Sequence, residues 1–292
     1  MPEMPEVQGL VQFLADRLTG ATLTVLQPVA FTALKSVAIA PDALLGGSVI
    51  GADRHGKWLD LVIATQDGRR HLIFHLARAG WLRWYDTLPN PTGRPSPKSP
   101  VALRVGSDRG GFALTEAGTR RKLAVFIVAD PAEVPMIATL GVDPLSPAFT
   151  AEQLGVVLRT RNQQIKGLLR DQSRIAGIGN AYSDEILHAA RISPFASTRT
   201  LAGDETMVTR LHTAVVETLR GAIAAVSGKP ARELKDAKRT RMRVHGRTGE
   251  QCDTCGDVVR EVSFADSSLQ YCATCQTGGK VLADRRMSKL LK

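Results

Sequence analysis

A chain of 292 residues is too long for one small core and fits two or three domains. Its 43% hydrophobic and 23% charged residues exclude wholesale disorder, and no apolar run is long enough to span a membrane. The net charge of +10 points to a polyanionic partner, most simply nucleic acid, although an acidic membrane surface would also attract it. Aromatic residues make up only 5%, so an aromatic stacking platform is not the expected mode of nucleic-acid binding. The N-terminus carries two glutamates and no basic cluster, which disfavours export and suggests a cytoplasmic protein.

From Pro5 to Gly20, the residues Val7, Leu10, Val11, Leu14 and Leu18 recur at spacings of three and four, which predicts an amphipathic helix stopped by the glycine. From about 22 to 130 the pattern changes to short runs bounded by Gly, Pro and Asp. Examples are "SVIGADRHGKWLDLVIA" and "RHLIFHLARAGWLRWY", and the spacing predicts an all-β sandwich or barrel. The segment "NPTGRPSPKSP" at 90–100 is a polar loop. After "LGVDPLSP" the period turns helical. Thr150 followed by Gln153 reads as a capping box. Asn162 reads as the cap of a second helix through Ile165, Leu168 and Leu169, and Asn180 as the cap of "AYSDEILHAAR". A longer helix is expected at 204–226. The segment 229–247 then holds eight Lys/Arg against two acidic residues and leads straight into the cysteines.

All four cysteines lie between 252 and 275. The run Cys252-x2-Cys255, sixteen residues, Cys272-x2-Cys275 has the spacing of a tetrahedral four-thiolate zinc site, and such localised use favours a metal over disulfides. The site would be closed, hence structural, holding together a tail too small to fold alone. A redox or iron role is the alternative. In "AGIGNAYSDEI", Gly177 and Gly179 permit conformations that other residues resist. The helix start that follows could cradle a phosphate, or the stretch could be a plain turn between helices. Lys166 and Arg170 just upstream favour the phosphate. Lys57 precedes an apolar strand, where a lysine most often guards a solvated edge.

The opening MPEMPEV has two readings. Proline followed by acids is an ordinary helix start, since proline fits the first turn and carboxylates suit the dipole. Alternatively, trimming of Met1 would free the secondary amine of Pro2, and an α-amino pKa of about 8 leaves a nucleophilic fraction at neutral pH. Such an amine forms an iminium with an aldehyde or a sugar C1′, and Glu3 beside it could move protons.

In this order, P-E-x-P-E-V, a G-K before a strand, "LGVDPLS", "IKGLLRDQSRIAGIGNAYSDEIL", "VHGRTGEQC" and a terminal four-cysteine finger make the chain resemble the formamidopyrimidine-DNA glycosylase and endonuclease VIII family. The resemblance covers essentially the whole chain. It implies a multidomain α+β protein: an N-terminal catalytic β-sandwich with a leading helix at 1–132, a helix–two-turn–helix DNA-binding domain at 133–243, and a zinc finger at 244–292 with one structural Zn2+. It further implies removal of damaged, typically oxidised, bases from double-stranded DNA, then β,δ-elimination at the abasic site. The protein is expected to be a nucleoid-associated monomer with no membrane partner. Pro2 would attack C1′, Glu3 would be the general acid, and Glu6 belongs to the same opening. Lys57 would contact the DNA backbone near the lesion, and Lys166, Asn180 and the Gly177–Gly179 turn would contact phosphates. The target base would be flipped from the stack at a cost of a few kcal/mol.

Several positions depart from the family pattern. The finger arginine, five residues before the third cysteine, is replaced by Ser267, and a hydroxyl cannot replace a bidentate guanidinium. Arg260, Arg285 and Arg286 are candidate substitutes. In place of "HLGMSG" stands "HLARAG", which puts Arg78 where a methionine wedge is usual, and the R-R-F loop is represented by Arg120, Arg121 and Lys122. A cation there can hydrogen-bond an orphaned base but stacks less well than an apolar wedge. Met4 and Gln8 replace the usual leucine and glutamate. These changes spare the nucleophile and the acid while altering lesion reading, so an unusual substrate preference is expected, with weak action on 8-oxoguanine. Two other classes stay open: a binder of abasic or distorted DNA with little turnover, and an RNA- or ribosome-associated zinc protein.

Overall fold

The computed structural model describes residues 1–89, 99–118, 121–264 and 267–283. The chain divides into two compact units: Met1–Thr139 with Val226–Lys235, and Leu140–Ala225 with the described residues from Asp236 on. Residues 226–235 thus belong with the N-terminal part, and the helical stretch 140–225 shares one unit with the cysteine module.

In the first unit, α1 (Met4–Leu18) buries Val7, Leu10, Val11, Leu14 and Leu18, the stripe expected from their spacing, together with Met4, and packs against the strands Ser48–His55 and Trp58–Thr65. The strands are β1 (Leu23–Pro28), β2 (Ser48–His55), β3 (Trp58–Thr65), β4 (Gly68–His75), β5 (Gly80–Tyr85), β6 (Val101–Ser107), β7 (Gly110–Glu116) and β8 (Ala124–Val128). They form two antiparallel sheets, in the orders β2-β3-β4-β8 and β1-β6-β7-β5. Side chains alternate across each strand. One sheet contributes Leu59, Leu61, Leu72 and Phe74 and the other Leu103, Val105, Phe112 and Leu114, all buried. Phe74 meets Phe112 with ring centroids 5.8 Å apart, joining the sheets into a sandwich. Burial of each such side chain contributes about 1.5–3 kcal/mol.

The outer face of the first sheet is covered by α2 (Pro135–Ala138) and the residue before it. Val134 and Ile137 pack on Trp58, Ile73 and Phe126. The same face carries a polar row. The carboxylate of Asp60, 1% exposed, is shared by His55 at 3.0 Å and His71 at 2.9 Å, one on each neighbouring strand.

The second unit contains α3 (Ala151–Arg159), α4 (Ile165–Arg170), α5 (Asn180–Ala189), α6 (Thr198–Ala202) and α7 (Glu205–Val226). After α8 (Leu234–Arg239) come the hairpin β9 (Val259–Ser263) and β10 (Ser268–Cys272), then α9 (Ala273–Thr277). Thr150 caps α3 as expected, its hydroxyl accepting the Gln153 N–H at 3.1 Å. Two expected caps differ. Asn162 accepts the Ser197 hydroxyl at 2.6 Å, and Gln164 stands at the start of α4 instead. Asn180 is the first residue of α5 and Gly179 the cap, because the left-handed turn at Gly177 (φ 89°) brings the chain round one residue earlier.

Candidate active site and metal centre

Pro2, Glu3 and Glu6 gather at the head of α1. Pro2 is buried, Glu3 is 2% exposed and Glu6 1%. Glu3 occupies the cap position, and its backbone N–H donates to Glu6 Oε2 at 2.9 Å. Glu6 therefore fixes the backbone that carries the first three residues. Two buried carboxylates are costly in isolation; the positive end of the helix dipole offsets part of that cost. Met1 is 50% exposed.

Gly56 and Lys57 form the two-residue turn between β2 and β3. Gly56 has φ 57° and Lys57 has no positive φ, the pattern of a type II′ hairpin that takes glycine first. Lys57 is only 8% exposed, so it is not the solvated edge lysine that its strand position suggested. Arg54 ties this turn to α1: its Nε donates to Gln8 Oε1 at 2.9 Å and its Nη1 to the Gly56 carbonyl at 3.1 Å. The head of the helix and the lysine turn are thereby held on one guanidinium.

His75, at the end of β4, packs against Trp58 with ring centroids 4.8 Å apart. Burial, and then the nearby Lys57 ammonium, push its pKa down to about 4. The Ala77 N–H donates to His75 Nδ1 at 3.1 Å, so the single proton of the neutral ring sits on Nε2. Ala77 has φ 50°, a left-handed conformation that costs a non-glycine residue about 1 kcal/mol, and the exposed Arg78 follows it. Arg121 is exposed and reaches the Ser99 carbonyl at 3.4 Å. Arg120 lies outside the described residues. The sequence reading missed Arg54 and His75. His75 opens the "HLARAG" segment and was legible there; Arg54 carried no motif of its own.

In the second unit, Gln172 closes the glycine turn. Its Oε1 accepts the Gly177 N–H at 2.9 Å, and its Nε2 donates to the carbonyls of Arg170 and Ile178 at 2.8 Å. Lys166 departs from the phosphate contact expected of it. It is 5% exposed, and its ammonium donates to Asn180 O at 3.1 Å, Ser183 Oγ at 2.8 Å and Asp184 Oδ1 at 2.5 Å. These acceptors converge on the ammonium, so Lys166 braces the turn from beneath. The Asn180 amide donates to the Ser268 carbonyl of β10 at 2.9 Å. Asp184 also meets His245 Nδ1 at 2.8 Å, and Glu185 accepts the backbone N–H groups of Arg243, Val244 and His245 at 2.8–3.0 Å. Burial raises the Glu185 pKa against those three N–H groups.

The four cysteine sulfurs lie within 4.8 Å of one another, with Cys252–Cys275 at 3.9 Å and Cys255–Cys272 at 3.3 Å. A tetrahedron with Zn–S bonds of about 2.3 Å has edges of about 3.8 Å, which this cluster fits. Burial and the neighbouring sulfurs push Cys272 up to about 11 and Cys275 higher. At Cys252 burial opposes ionisation, but the N–H groups of Thr254 and Cys255 and the adjacent thiols outweigh it. A bound Zn2+ would deprotonate all four. The knuckle is closed by the Cys252 N–H on the Asp257 carbonyl at 2.7 Å. These residues form the site of one structural zinc ion.

At the hairpin end, the Ser267 carbonyl accepts the Phe264 N–H at 2.7 Å. Arg260 does not take the missing arginine's place. It pairs with Tyr271, three registers and about 10 Å from the Ser263–Ser268 pair, and its guanidinium faces Asp257 at 3.6 Å. Arg285 and Arg286 lie outside the described residues. Among the described residues, no helix is long and apolar enough to cross a membrane.

Comparison with known proteins agrees with this geometry. Residues 1–124 match the formamidopyrimidine-DNA glycosylase N-terminal domain, 140–232 its H2TH domain, and 249–278 the zinc finger found in FPG and IleRS. A formamidopyrimidine-DNA glycosylase of Roseiflexus sp. is 33% identical across 94% of this chain and all of its own length. An uncharacterised formamidopyrimidine-DNA glycosylase-like protein of Mycobacterium tuberculosis is 53% identical over 161 residues, covering 55% of this chain and 99% of that protein. The crystal structure of MutM (Fpg) from Thermus thermophilus superposes with a TM-score of 0.78 at 29% identity, covering 96% of this chain and 100% of that one. Lactococcus lactis Fpg, in complex with DNA containing an oxidised pyrimidine, gives 0.80 at 25% identity, covering 94% and 100%. With the buried proline–glutamate terminus, the braced glycine turn and the four-thiolate centre each falling within a matching domain, the chain belongs to the formamidopyrimidine-DNA glycosylase family.

Proposed function

We propose that this protein excises a damaged, in the first instance oxidised, base from double-stranded DNA and then cuts the strand at the abasic site, with Pro2 as nucleophile. The observation that carries the reading is the gathering of Pro2, Glu3 and Glu6 at the buried head of α1, with the Lys57 turn tied to that helix through Arg54. The DNA complexes of Lactococcus lactis Fpg, with an oxidised pyrimidine and with an abasic site, support the choice of substrate.

After Met1 is trimmed, the neutral Pro2 nitrogen attacks C1′ and the glycosidic bond breaks, the base leaving with the bonding electrons and gaining a proton. Glu3 protonates the sugar ring oxygen, the C1′–O bond opens, and a C1′=N+ iminium results. The iminium acidifies the C2′ proton; its loss expels the 3′ phosphate, and a second elimination expels the 5′ phosphate. Lys57, and the neutral His75 through Nε2–H, are suited to hold the phosphates beside the sugar. Asn180 and the Gly177–Gly179 turn supply the second phosphate contact, with Lys166 as their brace. Arg78, together with Arg121, enters the gap left by the flipped base.

A second reading, recognition of abasic DNA with little turnover, is favoured by the hairpin end, where Ser267 stands in place of the arginine and Arg260 is turned to Asp257. One experiment separates the two. The protein, with loss of Met1 verified by mass, is incubated with a duplex carrying one abasic site and reduced with borohydride. A covalent adduct that disappears in Pro2→Gly is the expected result. Tight binding without an adduct would leave recognition as the function.

A further inference from the structure

α5 carries a polar residue that the proposed chemistry does not use. His188 is 3% exposed, and its Nε2 lies 3.3 Å from Cys252 Sγ, while its Nδ1 is buried without a hydrogen-bond partner among the described residues. A phenylalanine or leucine would fill this volume without orphaning a nitrogen, so the imidazole is explained only by what its other nitrogen does. A metal-bound thiolate can only accept, hence Nε2 must carry the proton.

The neighbours of His188 form a pattern. Asn180, Asp184 and His188 are spaced four apart and so lie along one face of α5. They reach in turn the Ser268 carbonyl, His245 and Cys252. The second knuckle is held in the same way: the Cys272 N–H donates to Gln276 Oε1 at 3.0 Å, and Gln276 Nε2 donates to the Ile192 carbonyl at 2.9 Å, just beyond the helix. Cys252 is thus bonded to α5 directly, and Cys272 is linked to the exit of α5 through Gln276.

We infer that His188 is a positioning residue of the zinc centre, donating Nε2–H to the Cys252 thiolate and tying metal retention to the helix that opens at the glycine turn. Such a bond spreads the thiolate charge and slows its protonation or capture by a competing ligand. Loss of an outer partner of this kind typically weakens metal binding 10–100-fold. The chain carries this device in addition to its four ligands, and it does not depend on the assignment of Pro2.

The test uses the full-length zinc-loaded protein. Zinc release to an excess of chromophoric chelator is expected to be about tenfold faster or more in His188→Phe. His188→Gln, whose Nε2–H reaches the same position, is expected to restore the wild-type rate. With cobalt in place of zinc, the thiolate-to-metal charge-transfer band is expected to move in His188→Phe and stay in His188→Gln. Equal release rates and an unmoved band in His188→Phe would overturn the inference. Should His188→Phe fail to fold, the ring 15N shifts of the wild-type zinc protein decide: an Nε2–H tautomer supports the bond to sulfur, and an Nδ1–H tautomer excludes it.

Discussion

At the end of β4, burial and the Lys57 ammonium both oppose protonation of His75, and its pKa falls from 6.5 to about 4. Between those values the unfolded chain takes up a proton that the folded protein refuses. Stability is therefore unaffected above about pH 6.5 and declines as the pH falls toward 4, by about 3 kcal/mol in total. His75→Asn keeps an acceptor for the Ala77 N–H and removes the titration. Urea unfolding at pH 7 and pH 4.5 should show the wild type losing stability more steeply than this variant; parallel losses would mean that His75 titrates normally. A neutral His75 also stays a one-proton donor through Nε2 across the physiological range. Glu6 offers a second residue-scale lesson. A catalytic-looking carboxylate at the head of a helix accepts the Glu3 N–H and so holds the backbone of its neighbour.

At the scale of elements, α5 works as a spine whose polar residues each hold a different piece of chain. Glu185 is the clearest case, because one carboxylate accepts the three consecutive N–H groups that lead from the basic segment into the finger. Val244 is fully buried, so water cannot replace the lost acceptor there. Glu185→Ala should destabilise the protein by about 2 kcal/mol and speed hydrogen exchange at Val244. Unchanged exchange at that amide would show that the carboxylate is dispensable. In the sandwich, Asp60 plays a comparable part by holding His55 and His71 across three strands.

For the whole molecule, the +10 charge sets how binding responds to salt. Displacement of counterions from about six phosphates would lower affinity on the order of a thousandfold between 50 and 200 mM salt. Titration of an abasic duplex across that range measures the slope, and binding indifferent to salt would remove the electrostatic basis of the proposed function. The same titration with Pro2→Gly should give the same slope, because the nucleophile contributes no cation to the phosphates once its amine is neutral.

The sequence by itself determined the features that repeat over a few residues. The four zinc ligands, the stripe of α1, the short Gly-, Pro- and Asp-bounded runs of the sandwich strands and the Thr150 cap are all local spacings. Local spacing dictates which groups can share a turn, a face or a metal. What only the tertiary structure decided lies across long separations: Arg54 joins Gln8 over 46 residues, and His188 meets Cys252 over 64. The surroundings of the two lysines have the same origin: Lys57 is buried in its turn, and Asn180, Ser183 and Asp184 converge on the Lys166 ammonium. Neither is written in local spacing, because each exists only after the strands have found their register and α4 has packed on α5.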